Sequence, residues 1–219
     1  MNLEDSKEAL NQAGLEMFGI CKNQLLKSRE AFSKHDSDLA EEVMHTENRV
    51  NALDLKIDKD CEKIIALHNP VASDLRFVLA LRKINFELER IADHAYGISK
   101  YIVDVDSKIE QQLLNNLRFD EMYDSTLSMF EDITIAYSER NTKKARKVFK
   151  KDKILNEINL ESFKKIEEEI KKNVEKTAEC LLLFSVIKKV ERIGDLITNI
   201  AEEIIFYLDA EVLKHNKKK

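Results

Sequence analysis

The chain has 219 residues, of which 4 are Gly, 1 is Pro and none is Trp; 43% are hydrophobic and 35% charged. Ordinary usage would supply roughly 15 Gly and 11 Pro at this length, so turn-rich sandwiches, barrels and doubly wound sheets are excluded and long helices with few connections remain. The net charge of −5 excludes the basic character of most nucleic-acid binders, and the ordinary apolar content excludes wholesale disorder.

The only basic clusters, Lys143-Lys144-Ala145-Arg146-Lys147 and Lys217-Lys218-Lys219, read as a solvated helix face and a tail. The longest apolar run, Cys180 to Phe184 with its extension to Ile187, falls far short of the roughly 20 residues that span a bilayer, so no direct membrane insertion is expected. Charged residues interrupt the first twenty positions, which fits no signal peptide. Cys21, Cys61 and Cys180 are odd in number, widely spaced and set among apolar residues, as small core residues of a reducing cytosol would be. A cytoplasmic helical protein is expected.

In chain order, Leu10, Ala13, Leu15, Met17, Phe18, Cys21, Leu25 and Leu26 share one broad face of a first helix. Lys34-His35-Asp36-Ser37-Asp38 interrupts it, with Asp38 the expected N-cap of a second helix. That helix carries Val43, Val50, Leu53, Leu55, Ile57, Cys61, Ile64 and Ile65. It should stop at Asn69-Pro70, because the residue before proline is pushed out of the helical region. A third helix is expected over 71–105 and a polar connector over 106–120. Further helices are expected over 120–139, from Asn141-Thr142 onward, and over 176–212.

Three helices, a connector and three helices suggest a duplication. Glu89-Arg90-Ile91-Ala92-Asp93 recurs 102 residues later as Glu191-Arg192-Ile193-Gly194-Asp195, and Glu47 to Asn51 aligns with Asp152 to Asn156 at an offset of 105. The fold expected is all-α: two tandem, pseudo-symmetric three-helix bundles, residues 1–107 and 108–219.

The chemistry lies in acid-x-x-x-acid pairs, since residues at i and i+4 share a helix face. Glu89 and Asp93 form one such pair, Glu191 and Asp195 another. Glu47, Asn51 and Asp54 lie on one face of the second helix, and Asp152 and Asn156 repeat that face, where Asn159 replaces the final acid. With 41 acidic residues in 219, chance alone gives about seven or eight such pairs, so a lone pair means little. Recurrence at matching places means more. If Glu47 is level with Asp93, and Asn51 with Glu89, the hairpin turns at residue 70, where Asn69-Pro70 independently ends the helix. Asp152 with Asp195, and Asn156 with Glu191, place the second turn beside Asn173. Gathered acids repel one another unless a cation neutralises them, and an oxygen-only set suits Mg, Mn, Ca or Fe.

Other motifs carry less. Glu42-Val43-Met44-His45 has the Glu-x-x-His spacing of di-iron bundles, which need two copies; one exists, and His45 reads as an exposed helix-end residue. His94 points roughly 100° away from Asp93 and reads as a peripheral ligand or exposed polar residue. Met44, Met122 and Met129 read as core fillers. There is no Gly-rich phosphate loop, nucleophile elbow or Cys-x-x-Cys, so catalysis is not indicated.

Asn69-Pro70-Val71-Ala72-Ser73-Asp74-Leu75-Arg76-Phe77 with Leu88-Glu89-Arg90-Ile91-Ala92-Asp93-His94-Ala95 resembles the first half of the PhoU family of bacterial phosphate-signalling and phosphate-transport regulators. Val190 to Asp195, continuing through Thr198-Asn199-Ile200-Ala201-Glu202, resembles its second half. The resemblance implies two tandem three-helix bundles and a non-enzymatic cytoplasmic adaptor. Such an adaptor represses the phosphate importer and the phosphate two-component system when phosphate is plentiful. The implied partners are a membrane phosphate-sensing histidine kinase and the ATPase subunit of the phosphate ABC importer, with a homodimer expected and no nucleic acid. The implied cofactor is a divalent or multinuclear metal, iron first, with Zn, Mn or Mg as alternatives. Its ligands would be Glu47, Asn51, Asp54, Glu89 and Asp93 in the first half and Asp152, Asn156, Glu191 and Asp195 in the second. Ala92 stands for the usual glycine of the first pentapeptide, and Leu196 for a histidine that commonly follows the second. With Asn159 lacking an anionic oxygen, the second site is the poorer one.

The competing reading is a carboxylate-bridged metal storage or redox bundle without a signalling partner; a plainer one is a scaffold that binds no metal. Because an acidic molecule repels phosphate, the expected route of the phosphate signal is through protein partners, with a bound metal as the bridge if sensing is direct.

Overall fold

The computed structural model describes residues 2–105 and 108–213. The described residues form seven helices: α1 (Leu3–Lys34), α2 (Ser37–His68), α3 (Ala72–Asp104), α4 (Gln111–Asn116), α5 (Phe119–Ser138), α6 (Thr142–Lys172) and α7 (Thr177–Asp209). The expected boundary at residue 107 and the Lys217–Lys219 tail lie outside the described residues. The connector holds the short α4, which the sequence reading leaves as plain connector; its Leu113 and Leu114 are buried. The last helix stops at Asp209 rather than Val212, with Ala210 left-handed at φ 57°.

Local chemistry sets the helix ends. Asn2 and Asp5 form a reciprocal capping box at the start of α1. The N-cap of α2 is Asp36, not Asp38: its side chain accepts from the Leu39 amide, while Asp38 sits in the first turn, where an acid complements the helix dipole. Asn141 caps α6 in the same way. Asn69 takes a left-handed φ of 45° immediately before Pro70 and closes α2. Asn173 closes α6 and accepts from the Glu175 amide, so the second hairpin turns where the carboxylate spacing places it, through a short 3-10 turn, Val174–Lys176.

Helix α1 packs on α2 and α3, and α5 on α6 and α7, giving two three-helix bundles. The duplication holds along the whole of α2 and α6. At an offset of 105 the caps Asp36 and Asn141 coincide, as do the buried pairs Ala40/Ala145, Val43/Val148 and Val50/Leu155. The exposed charges of the first turns are inverted: Asp38, Glu41 and Glu42 stand where α6 carries Lys143, Arg146 and Lys147.

The two bundles meet along α3 and α7. Lys83 reaches Glu203 at 2.9 Å, Asn199 donates to Glu87 at 3.3 Å, and Lys189 lies against Gly97. In each pair the residue numbers sum to 286, which describes two antiparallel helices in one register. Ala92 and Gly194 are equivalents in the repeat and satisfy the same sum, so the internal two-fold passes between them. A second seam joins α1 to α5, where Phe18 packs 5.1 Å from Tyr137 and 6.0 Å from Phe130 (centroid to centroid). Both seams belong to a single continuous apolar core.

Two glycines test this packing. A Cβ on Gly194 would lie 2.4 Å from Leu155 Cδ2, and Leu155 is fully buried; a Cβ on Gly19 would meet nothing within 4 Å. Gly194→Ala is expected to lower stability by about 1 kcal/mol, overpacking outweighing the gain in helix propensity. Gly19→Ala is expected to raise it by about 0.5–1 kcal/mol. Urea denaturation midpoints read both.

Candidate functional site: two carboxylate faces

The hairpin register brings Glu47 of α2 against Asp93 of α3, with Glu89 one turn along. Both carboxylate oxygens of Glu47 are buried without a hydrogen-bond donor. Burial, then a proton shared by hydrogen bonding with Asp93 and the Asp93 and Glu89 charges, pushes the Glu47 carboxyl up to about 7. Glu89 is shifted in the same direction by burial and then by Asp93 and Asp54. One turn further on, Asp54 accepts from Asn85 Nδ2 at 2.7 Å; burial and Asp58 raise its pKa against that hydrogen bond. Asn51 is exposed beside them.

In the second bundle Asp152 is buried and accepts from Asn156 at 2.7 Å. Glu191, raised mainly by burial, feels Asp195 first among its charged neighbours and Asp152 as well. Asp195 is half-buried on the same stretch of α7. The Asp54–Asn85 pair has no counterpart, because the equivalent positions are Asn159 and Ile187, and the buried Asn159 Oδ1 finds no donor.

Oxygen donors on facing helices are the right kind for a hard or borderline cation, and the donorless Glu47 carboxylate is the observation that fits one. Such a group needs either a proton or a cation. As the side chains stand, no three His, Cys, Asp or Glu among the described residues are arranged to hold a metal ion. A cation would have to draw the exposed Asp93 and its neighbours inward.

Asn85 escaped the sequence reading. Its place one turn before Glu89 and two before Asp93 was the available signal, but an amide on a helix face is too common to stand out. His94 differs from the expectation of an exposed residue: it is half-buried at the α3–α7 seam. Burial first, then Lys189, Arg192 and Arg90, lower its pKa to about 4, so it is neutral near pH 7. Its equivalent, Leu196, is buried in the core. Glu42 and His45 are both exposed, and Glu42 pairs with Lys27. Met122 and Met129 are fully buried, as core fillers should be. No helix among the described residues is long and apolar enough to cross a membrane.

The folded state holds the Glu47 proton more tightly than the unfolded chain does. That contribution to stability is present below about 4.5 and is lost as pH rises through about 7. Glu47→Gln is therefore expected to stabilise the metal-free protein at pH 8 by about 1 kcal/mol, allowing for solvent screening. The difference should close towards pH 4.5, and thermal melts across that range measure it. His94 works in the opposite sense: its contribution is complete above about 6.5 and is lost as pH falls towards 4.

Comparison with known proteins identifies the family. The PhoU domain model matches the chain twice, over residues 15–102 and 119–204, one match to each bundle. The Edwardsiella tarda phosphate-specific transport system accessory protein PhoU is 30% identical over 201 residues, covering 92% of this chain and 82% of that protein. The PhoU homolog of Clostridium acetobutylicum is 28% identical over 97% of each chain. The crystal structure of PhoU from Pseudomonas aeruginosa superposes with a TM-score of 0.87 at 22% identity, covering 96% of this chain and all of that one, which bears on the fold alone. With both halves matched, each across the helices that carry its carboxylates, the chain belongs to the PhoU family.

Proposed function

We propose that this protein is a non-catalytic accessory of phosphate transport, working in the cytoplasm as a homodimeric adaptor. In this reading it restrains the phosphate importer through its ATPase subunit, and holds a phosphate-sensing histidine kinase silent when phosphate is plentiful. The observation that carries the reading is the family match to both halves, supported by relatives named as accessory proteins of phosphate-specific transport. Each bundle, one on either side of residue 107, acts as a unit presenting one carboxylate face.

The first-bundle face, Glu47, Asn51, Asp54, Glu89 and Asp93, is proposed to take a divalent cation, iron or a similar metal. Asp152, Asn156, Glu191 and Asp195 form the weaker second set, since Asn159 contributes no charge. A bound divalent cation would offset the repulsion between these carboxylates and make the face less negative. The chain's own part is to hold the acids level across the hairpin. Asn85 fixes Asp54 by its hydrogen bond, and Glu47 would have to lose its proton to serve as a ligand of such a cation.

Three measurements test this reading. Mn(II) affinity, by calorimetry, is expected to strengthen as pH rises through about 7, where Glu47 loses its proton, and to weaken about tenfold or more in Glu47→Gln. A chelator should lower the melting temperature of protein purified with its metal and leave metal-free protein unchanged. In cells lacking the gene, the wild-type chain is expected to restore repression of phosphate uptake and to co-purify with the importer ATPase subunit. Restoration of uptake control by a chain that captures neither ATPase nor kinase would remove the adaptor reading.

A further inference from the structure

The largest departure from internal symmetry, apart from surface charge, lies at one end of the molecule. There the first turns of α1 and α3, the α5–α6 turn and the last turns of α7 enclose a cavity of about 310 Å³. Its counterpart in the other half is lined by His35 and Val105, the equivalents of Arg140 and Tyr207, together with Phe32, Tyr101 and Ile102. That counterpart is closed to about 10 Å³. The open cavity carries two guanidinium groups, Arg76 and Arg140. Neither exists in the other half, where Ala178 and His35 stand at the equivalent positions.

The charges around the cavity do not cancel group by group. Lys7 is held by Asp74 at 2.7 Å and Glu4 at 2.9 Å, and Glu8, which accepts from the neutral amide of Gln12 at 2.8 Å, keeps its negative charge. Among the described residues no carboxylate pairs with Arg76 or Arg140, and the buried Arg76 Nε finds no acceptor there. A buried N–H without an acceptor is costly and marks a missing partner. Helix α3, whose Ser73 also lines the cavity, begins at Val71, which supplies no side-chain acceptor to the first amides; Asn2, Asp36 and Asn141 do so for α1, α2 and α6. Behind the guanidinium groups, the rings of Phe77 and Tyr207 meet edge to face at 5.9 Å and form an apolar wall.

We propose that this cavity binds a phosphate group, either free orthophosphate or the phosphate of a small organic monoester, without a metal. Two guanidinium groups match a dianion of charge about −1.5 to −2, whereas a single carboxylate would satisfy one of them. The aromatic wall would take the organic part of a monoester. The proposal departs from the expectation that an acidic molecule repels phosphate, because the net charge of −5 is spread over the surface and the two unpaired guanidinium groups are local. It rests on the cavity alone and stands or falls independently of the transport reading.

The test is calorimetry on full-length, chelator-treated protein at low salt, titrated separately with orthophosphate and with adenosine 5′-monophosphate. Saturable binding is expected with at least one of them, weakened about tenfold or more in Arg76→Gln and in Arg140→Gln, each charge-assisted pair being worth that much. Tighter binding of the nucleotide than of orthophosphate identifies an organic monoester as the source, and the reverse order identifies the free ion. Lys150→Gln/Lys153→Gln, on exposed lysines further along α6, should bind as the wild type does. Arg140 is exposed, so its variant remains folded if Arg76→Gln does not, and circular dichroism checks both. Absence of saturable binding at millimolar ligand overturns the proposal. So does binding that survives both arginine substitutions, or that is lost only in the lysine variant.

Discussion

The antiparallel contact between α3 and α7 is the constraint on which the rest of the structure depends. Each of these helices is the inner member of its own hairpin, so their mutual register fixes where both hairpins stand. Ala92 and Gly194 lie on the two-fold of that contact, inside the pentapeptides whose flanking acids define the two carboxylate faces. The same few residues therefore bear two demands. Small side chains there let each helix pack closely inside its own bundle, as Gly194 does against Leu155 of α6, and the acids on either side stay on one face of each hairpin. The second half meets the packing demand more tightly, since Gly194 leaves room for the buried Leu155.

The acids of the first half are held in a state that favours folding and function differently. A buried Glu47 with no donor is most stable when protonated, whereas a cation site needs it ionised. In the proposed reading proton and cation would compete for one carboxyl group, whose affinity for the proton is raised by burial more than by any single neighbour. In the second half, Asn156 satisfies the corresponding Asp152 directly. The two carboxylate faces therefore differ in how well their acids are already satisfied, a difference that their matching sequence spacing conceals.

Much of the fold was legible because its determinants are local. Scarcity of Gly and Pro, 3.6-residue periodicity, the Asn69-Pro70 stop and the repeated pentapeptide each report on a few neighbouring residues. The position of the Asn173 turn followed from carboxylate spacing because antiparallel helices rise equally per residue. What escaped was non-local or degenerate. Asp36 and Asp38 are equally good caps by composition, and only the turn geometry chooses between them. Asn85 and His94 owe their roles to residues on other helices: Asp54 for one, Lys189 and Arg192 for the other. The two guanidinium groups of the end cavity lie 64 positions apart in the chain, and nothing in either neighbourhood announces that they share a wall.

The charge inversion between the first turns of α2 and α6 has a consequence for handedness of approach. In shape the molecule offers an encountering body two nearly equivalent ways to dock, related by the internal two-fold. Asp38, Glu41 and Glu42 on one helix and Lys143, Arg146 and Lys147 on the other make those two ways electrically opposite. An oppositely charged surface is drawn into one orientation and turned away from the other before contact is made. Two repeats of one bundle, alike in backbone and opposite in surface charge, thereby give the molecule a front and a back.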